Sequence, residues 1–324
     1  MSQFSELLKI NGYLILDGAM GTQLFSNGLT AGDPPEIWNL DHPDQIRAIH
    51  QDFIEAGSDV VLTNSFGGNR HRLKLHSLDD RVHKLNTAAA AAARAAANQA
   101  DRPIIVAGSM GPTGDLITPL GELSEESAAE AFAEQAAGLA DGGVDVLWIE
   151  TMSALPEVEA AVRGARSVSE LPIIVTLSFD TAGCTMMGLT GEMVGKRMTE
   201  LGVAGVGANC GANLADTEAA VASIRSTCGD IPVVCKANAG IPTWRGDTLE
   251  YDATPEIMSA HAYRLRQSGI ALIGACCGST PEHIVYIRGV LDGSLPVPDV
   301  PPPVSSATFG NADRPTRDRR RRRH

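Results

Sequence analysis

Eight short apolar runs, each closing on small or polar residues and each followed by a helix-like stretch, constrain this chain more than any other feature. They are YLILDGAMG from Tyr13, DVVLTNSFG from Asp59, PIIVAGSMG from Pro103, VDVLWIET from Val144, PIIVTLSFD from Pro172, VAGVGANCG from Val203, PVVCKANAG from Pro232 and IALIGACCG from Ile270. Continuous rather than alternating apolarity marks strands covered on both faces, as in a parallel sheet. The segments between them carry helix punctuation. Ser124 reads as an N-cap before Glu125 and Glu126, Gly142-Gly143 as a stop, and proline takes the first helical position in Thr254-Pro255-Glu256 and Thr280-Pro281-Glu282. The alanine-rich stretch from Asn86 to Ala100 reads as a helix packed close to the sheet, because alanine is the best helix former and has a small side chain. Eight strand-then-helix units predict an α/β fold, a (β/α)8 TIM barrel. A doubly wound open sheet is the rival, but no G-x-G-x-x-G phosphate turn opens a helix in this chain.

The barrel is expected to occupy residues 1–295. The remaining 296–324 is rich in proline and polar residues, ends in the run Arg319 to Arg323, and reads as a disordered, solvated tail. A formal charge of −13 argues against a nucleic-acid partner, and no apolar run approaches the ~20 residues that span a bilayer. The first residues lack a basic start with an apolar core and cleavage site, so a cytoplasmic protein is expected. Six cysteines scattered over 324 residues do not make a disulfide framework. They are core residues, metal ligands or catalytic thiols.

In a (β/α)8 barrel the active site lies at the C-terminal ends of the strands. Those ends deliver Asp17, Asn64, Ser109, Glu150, Asn209, Cys210, Asn238, Cys276 and Cys277. Cys276 and Cys277 precede the Gly278-Ser279 turn, where a bending chain can aim neighbouring side chains at one point. With Cys210 they offer three thiolates, one short of the tetrahedral shell of Zn2+, as in a catalytic site with an open position. Taken alone, the pair reads as inert buried thiols or a strained redox-active vicinal disulfide as readily as it reads as a metal site; its place opposite Cys210 favours zinc. Cys184, Cys228 and Cys235 lack that placement and read as structural. Asp17 and Glu150 either cap loop amides or receive an ammonium group. Trp148 shares the face of Glu150, and Trp38 and Trp244 are expected in loops over the mouth, where they either hold a cation by cation–π contact or cover the core.

The motifs DGAMGTQL (Asp17 to Leu24), TNSFGGN (Thr63 to Asn69), GSMGPTG (Gly108 to Gly114), ETMS (Glu150 to Ser153), GANCG (Gly207 to Gly211), NAGIP (Asn238 to Pro242) and GACCGSTPEHI (Gly274 to Ile284) together resemble the homocysteine S-methyltransferase family. The resemblance runs from about residue 13 to residue 291. It implies a zinc-dependent (β/α)8 barrel that methylates the sulfur of homocysteine to give methionine. On matching positions it implies Cys210, Cys276 and Cys277 as catalytic zinc ligands. Asp17 and Glu150 would hold the homocysteine amino group, backbone from Gly18 to Gly21 would face its carboxylate, and Asn238 would line the same pocket.

The stretches Phe25 to His50 and Gly67 to His76 are similar to bacterial proteins of the betaine–homocysteine methyltransferase type, which implies betaine or a related onium as donor. The alternatives are S-methylmethionine, methylcobalamin on a partner protein, or a non-catalytic barrel that binds zinc or an amino acid. Animal betaine enzymes carry caging tyrosines after the second and fourth strands; here those places hold Gly67 and Thr151. The C-terminal arm that joins subunits in those animal enzymes has no counterpart, so oligomerisation by that route is not expected.

Overall fold

A computed structural model describes residues 2–245 and 248–303. Its strands are β1 (Leu14–Ile15), β2 (Val60–Leu62), β3 (Ile105–Met110), β4 (Val146–Met152), β5 (Ile173–Leu177), β6 (Gly205–Cys210), β7 (Val233–Ala237), β8 (Pro242–Arg245), β9 (Thr248–Tyr251) and β10 (Leu272–Ala275). Eight of them form one parallel sheet in the order β1-β10-β7-β6-β5-β4-β3-β2. A parallel bridge between Leu16 and Val60 joins the two ends, so the sheet closes into the predicted barrel. The other two, β8 and β9, pair as an antiparallel hairpin inserted after β7.

Strand periodicity sorts side chains into two cores. Leu14, Leu16, Val60, Leu62, Ile105, Ala107, Val146, Trp148, Ile174, Val234 and Leu272 fill the barrel interior, joined by Phe4 from the helix Gln3–Asn11. Burying a side chain of that size stabilises by roughly 1.5–3 kcal/mol. The intervening residues, among them Ile15, Val61, Val106, Val206 and Ile273, pack outward against the helix layer. The alanine-rich segment is the helix Val82–Ala97, with Ala89, Ala90 and Ala93 fully buried. The sequence punctuation holds: Ser124 Oγ accepts from Ser127 N at 3.1 Å, and Thr254 and Thr280 cap the two proline-started helices. The last helix ends at Asp292, and Leu295 N bonds back to Gly289 O at 2.8 Å. Of the expected tail, residues 304–324 lie outside the described residues.

Candidate metal centre

The three thiols meet because two local backbone devices override strand alternation. Along β6, Val206 and Ala208 face the helices, so regular alternation would send Cys210 outward too. Cys210 instead has φ +56°, a left-handed conformation that is uncommon for a side chain other than glycine, and its Sγ lies 3.2 Å from Cys276 Sγ. On the other side β10 has ended at Ala275, and Cys276 and Cys277 sit in the turn beyond it. Gly278 has φ +81°, and a Cβ there would lie 2.1 Å from Tyr251 Cγ, so only glycine lets the chain bend beneath that ring. The three Sγ atoms all lie within 4.8 Å of one another.

This donor set fits zinc. Sulfurs 2.3 Å from a tetrahedral Zn2+ are about 3.8 Å apart, inside the range observed here. All six cysteines are free, so the vicinal-disulfide reading has no support. Contact with Cys210 and Cys276 holds the Cys277 thiol well below the usual range, whereas contact with Cys276 pushes the Cys210 thiol up. Three crowded, mostly buried thiolates call for a divalent partner. Asn238 braces the two ligand turns: its Nδ2 donates to Gly211 O at 3.1 Å and its Oδ1 accepts from Cys277 N at 3.1 Å. It performs that structural bridging without bordering the cavity.

The cysteines form part of the floor of a cavity of about 330 Å3. Beside them stands Glu150, one step above Trp148 on the interior face of β4, as the alternation predicts. Ser109 Oγ donates to Glu150 Oε1, and Asn209 Nδ2 to its Oε2 at 3.3 Å. Burial pushes the Glu150 carboxyl up to about 7, against the pull of Lys236. Asn209 also clamps Thr151, accepting from its N at 2.8 Å and donating to its Oγ1 at 2.6 Å, where the β4–β5 register shifts and Thr151 has φ +60°.

Asp17 is 1% exposed and already engaged. Its Oδ2 accepts from Leu62 N at 2.7 Å, and its Oδ1 has Lys236 Nζ at 3.2 Å, an ion pair without hydrogen-bond alignment. Burial raises the Asp17 carboxyl while Lys236 opposes that shift. For Lys236 itself burial disfavours the charge, but Asp17, Cys276 and Glu150 outweigh it and the ammonium titrates above its usual range. Lys236 was not among the expected site residues. Its signal is visible in PVVCKANAG: a lysine inside a buried strand needs an acidic partner.

Of the backbone expected to face a carboxylate, Ala19 N is taken by Ser279 Oγ at 3.1 Å, while Gly18 and Gly21 border the cavity. Of its two expected roles, Trp38 takes the second, in the core, and not from a loop over the mouth. It does not cover the mouth but is 8% exposed, packed in the outer core with its ring 4.6 Å from that of His42, because it opens a helical turn, Trp38–Asp41. The Trp244 side chain lies outside the described residues. Phe66 does line the cavity, beside Glu36, whose Oε1 accepts from Gly67 N at 2.7 Å. Cys228 and Cys235 are buried, and Cys184 is half-buried in the loop after β5.

The profile of one protein family, homocysteine S-methyltransferase, matches residues 14–291. The chain belongs to that family. It is 35% identical over 289 residues to the methionine synthase of Mycobacterium tuberculosis and 33% identical over 302 residues to that of Mycobacterium leprae, covering 84% and 87% of this chain. The chain spans about a quarter of the length of these relatives, 24% and 25% respectively. The homocysteine methyltransferase MmuM from Escherichia coli, in its metallated form, superposes with a TM-score of 0.73 at 24% identity, over 88% of this chain and 98% of that one. That likeness supports the homocysteine S-methyltransferase barrel as a fold. No helix among the described residues is long and apolar enough to cross a membrane.

Proposed function

We propose that this chain transfers a methyl group to the sulfur of L-homocysteine, giving methionine, with Zn2+ held by Cys210, Cys276 and Cys277. The observation that carries this reading is the meeting of three thiols within 4.8 Å at the floor of a cavity that also contains Glu150. When bound, Zn2+ keeps a thiol of ordinary pKa about 8.5 ionised at neutral pH, and so nucleophilic. Glu150, fixed by Ser109 and Asn209, accepts the substrate ammonium. Asp17 adds negative charge nearby. The cavity walls exclude water and hold the donor methyl carbon in line with the sulfur.

For the donor we propose betaine or a related onium, with the Phe66 ring and the Glu36 carboxylate of the cavity lining to receive its cationic head. The sulfur forms its bond to the methyl carbon as the carbon–nitrogen bond breaks, and the amine leaves neutral, so no acid has to protonate it. A second reading keeps the same homocysteine site and takes the methyl group from methylcobalamin on a partner protein. Zinc-replete protein is to be incubated with homocysteine and, in turn, betaine, S-methylmethionine and methylcobalamin, with methionine as the readout. Turnover with betaine is the expected result. Turnover with methylcobalamin alone supports the second reading, and no methionine from any of the three sinks the methyltransferase reading.

A further inference from the structure

The segment GGNRHRLKLH beyond β2 concentrates basic residues in a chain whose formal charge is −13, and not all of them are spent on ion pairs. It folds as a short helix, Arg70–Lys74, continued by a turn in which His76 N bonds to Leu73 O at 3.0 Å. Asn69, fully buried, fixes where that helix begins. Its Oδ1 accepts from the amides of His71 and Arg72, both at 3.1 Å, and its Nδ2 donates to Gly111 O at 3.4 Å and Pro112 O at 3.3 Å, in the segment after β3. Leu73 packs into a small core with Val82 and Leu85. Arg70 and His71 are paired, with Glu134 at 2.7 Å and Asp115 at 2.9 Å. Arg72 and His76 stand at i and i+4, on one side of the segment, and both border the mouth cavity. Neither side chain has a hydrogen-bond or ion-pair partner among the described residues. The Arg72 side chain lies against the loop after β3, where a Cβ on Gly114 would stand 3.3 Å from Nη1 and 3.4 Å from Cδ.

Glu36 and Phe66 share that lining. Glu36 is 5% exposed, and its Oε1 accepts from Gly67 N at 2.7 Å. Burial raises the Glu36 carboxyl; the Gly67 amide, Arg72 and His76 oppose that shift, so both basic side chains lie within electrostatic reach of the acid. The cavity thus sorts charge. Its floor carries Asp17, Glu150 and three thiols, and the one lysine there, Lys236, is committed to Asp17 Oδ1 at 3.2 Å and Gly18 O at 3.1 Å. An anionic group on an incoming donor therefore finds matching charge beside Glu36, at Arg72, rather than on the floor. Acid, aromatic ring and unpaired guanidinium on one wall are complementary to a zwitterion.

We propose that Arg72, with His76 beside it, receives a carboxylate carried by the methyl donor, so that the chain selects onium donors that are also carboxylates. This rests on the onium-donor reading above and adds its anionic half. The guanidinium offers five N–H donors in a planar fork that fits a carboxylate, and the imidazole adds another N–H. Betaine and S-methylmethionine both carry the required group.

The test measures methionine formation by the zinc-replete chain with homocysteine and either donor, each beside its carboxamide, in which a neutral group of similar shape replaces the carboxylate. For whichever donor turns over, the amide should show a KM about 3- to 10-fold higher, the range between an exposed ion pair and a charge-assisted hydrogen bond. Arg72→Met should bring the KM of the carboxylate donor up to about that of the amide while leaving the amide within about twofold. His76→Gln should do the same more weakly. Arg72→Lys keeps the charge but loses the fork, and should fall between wild type and Arg72→Met. Equal KM for donor and amide in the wild type, or an equal change of both in Arg72→Met, overturns the assignment. Turnover with methylcobalamin and with none of the onium compounds would instead remove the onium reading on which it stands.

Discussion

Two cysteine sites lie on opposite sides of the barrel wall, and their chemistry looks alike until access is considered. At the mouth, Cys210, Cys276 and Cys277 meet within 4.8 Å. Behind β7, Cys235 Sγ lies 3.8 Å from His261 Nε2, and His261 Nδ1 lies 2.6 Å from Glu218 Oε1, which also accepts from Arg264 at 2.8 Å. Residue types alone describe the second group as nucleophile, base and orienting acid. Cys235 is nevertheless fully buried, and burial pushes its thiol far up. It does not border the mouth cavity. The mouth thiols have a neighbouring ammonium, a cavity and one another. Access and a compensating cation, more than mutual distance, make a thiol group a working site.

The comparison can be broken most sharply at the mouth. Cys276→Ser should drop bound zinc below half an equivalent and slow methyl transfer by more than ~10^3-fold, since both the nucleophile's ionisation and its position depend on the metal. Elemental analysis and methionine formation check both, and full zinc occupancy in the variant would remove Cys276 from the ligand set. A smaller effect is expected one shell away. Glu150→Gln should raise the homocysteine KM roughly 10- to 100-fold while zinc stays bound, because a charge-assisted contact is lost and the ligands are intact. Zinc loss in that variant would mean that Glu150 supports the metal centre instead of the substrate.

The smallest effect belongs to the buried group. Cys235→Ala should cost about 1 kcal/mol of stability in chemical denaturation, as a minor core truncation, and leave zinc content and kcat unchanged. A fall in either would show that the two sites are coupled through β7.

Cys235 and Lys236 illustrate how much of this was legible beforehand. They are neighbours in one apolar run, and period-two alternation alone places them on opposite faces. That the lysine faces the site follows only when its partner is known. Trp38 illustrates the reverse: its proximity to a predicted loop suggested the mouth, yet the helical turn from Trp38 to Asp41 puts the ring into the outer core. The caging role considered for it is therefore withdrawn, which leaves Phe66 and Glu36, both on the cavity lining, as the described groups proposed to receive the donor.

By itself the sequence determined the eight strand–helix units, their helix caps, and the strand ends that carry Asp17, Glu150 and the three mouth cysteines. These follow from the periodicity and punctuation of consecutive residues. Only the tertiary structure decided the left-handed turn that swings Cys210 inward, the tight bend of Gly278 beneath Tyr251, and the ion pair that joins Lys236 to Asp17. Each of these depends on a partner brought near by barrel closure rather than by adjacency in the chain. The energies involved arise from contacts between segments that local sequence does not pair.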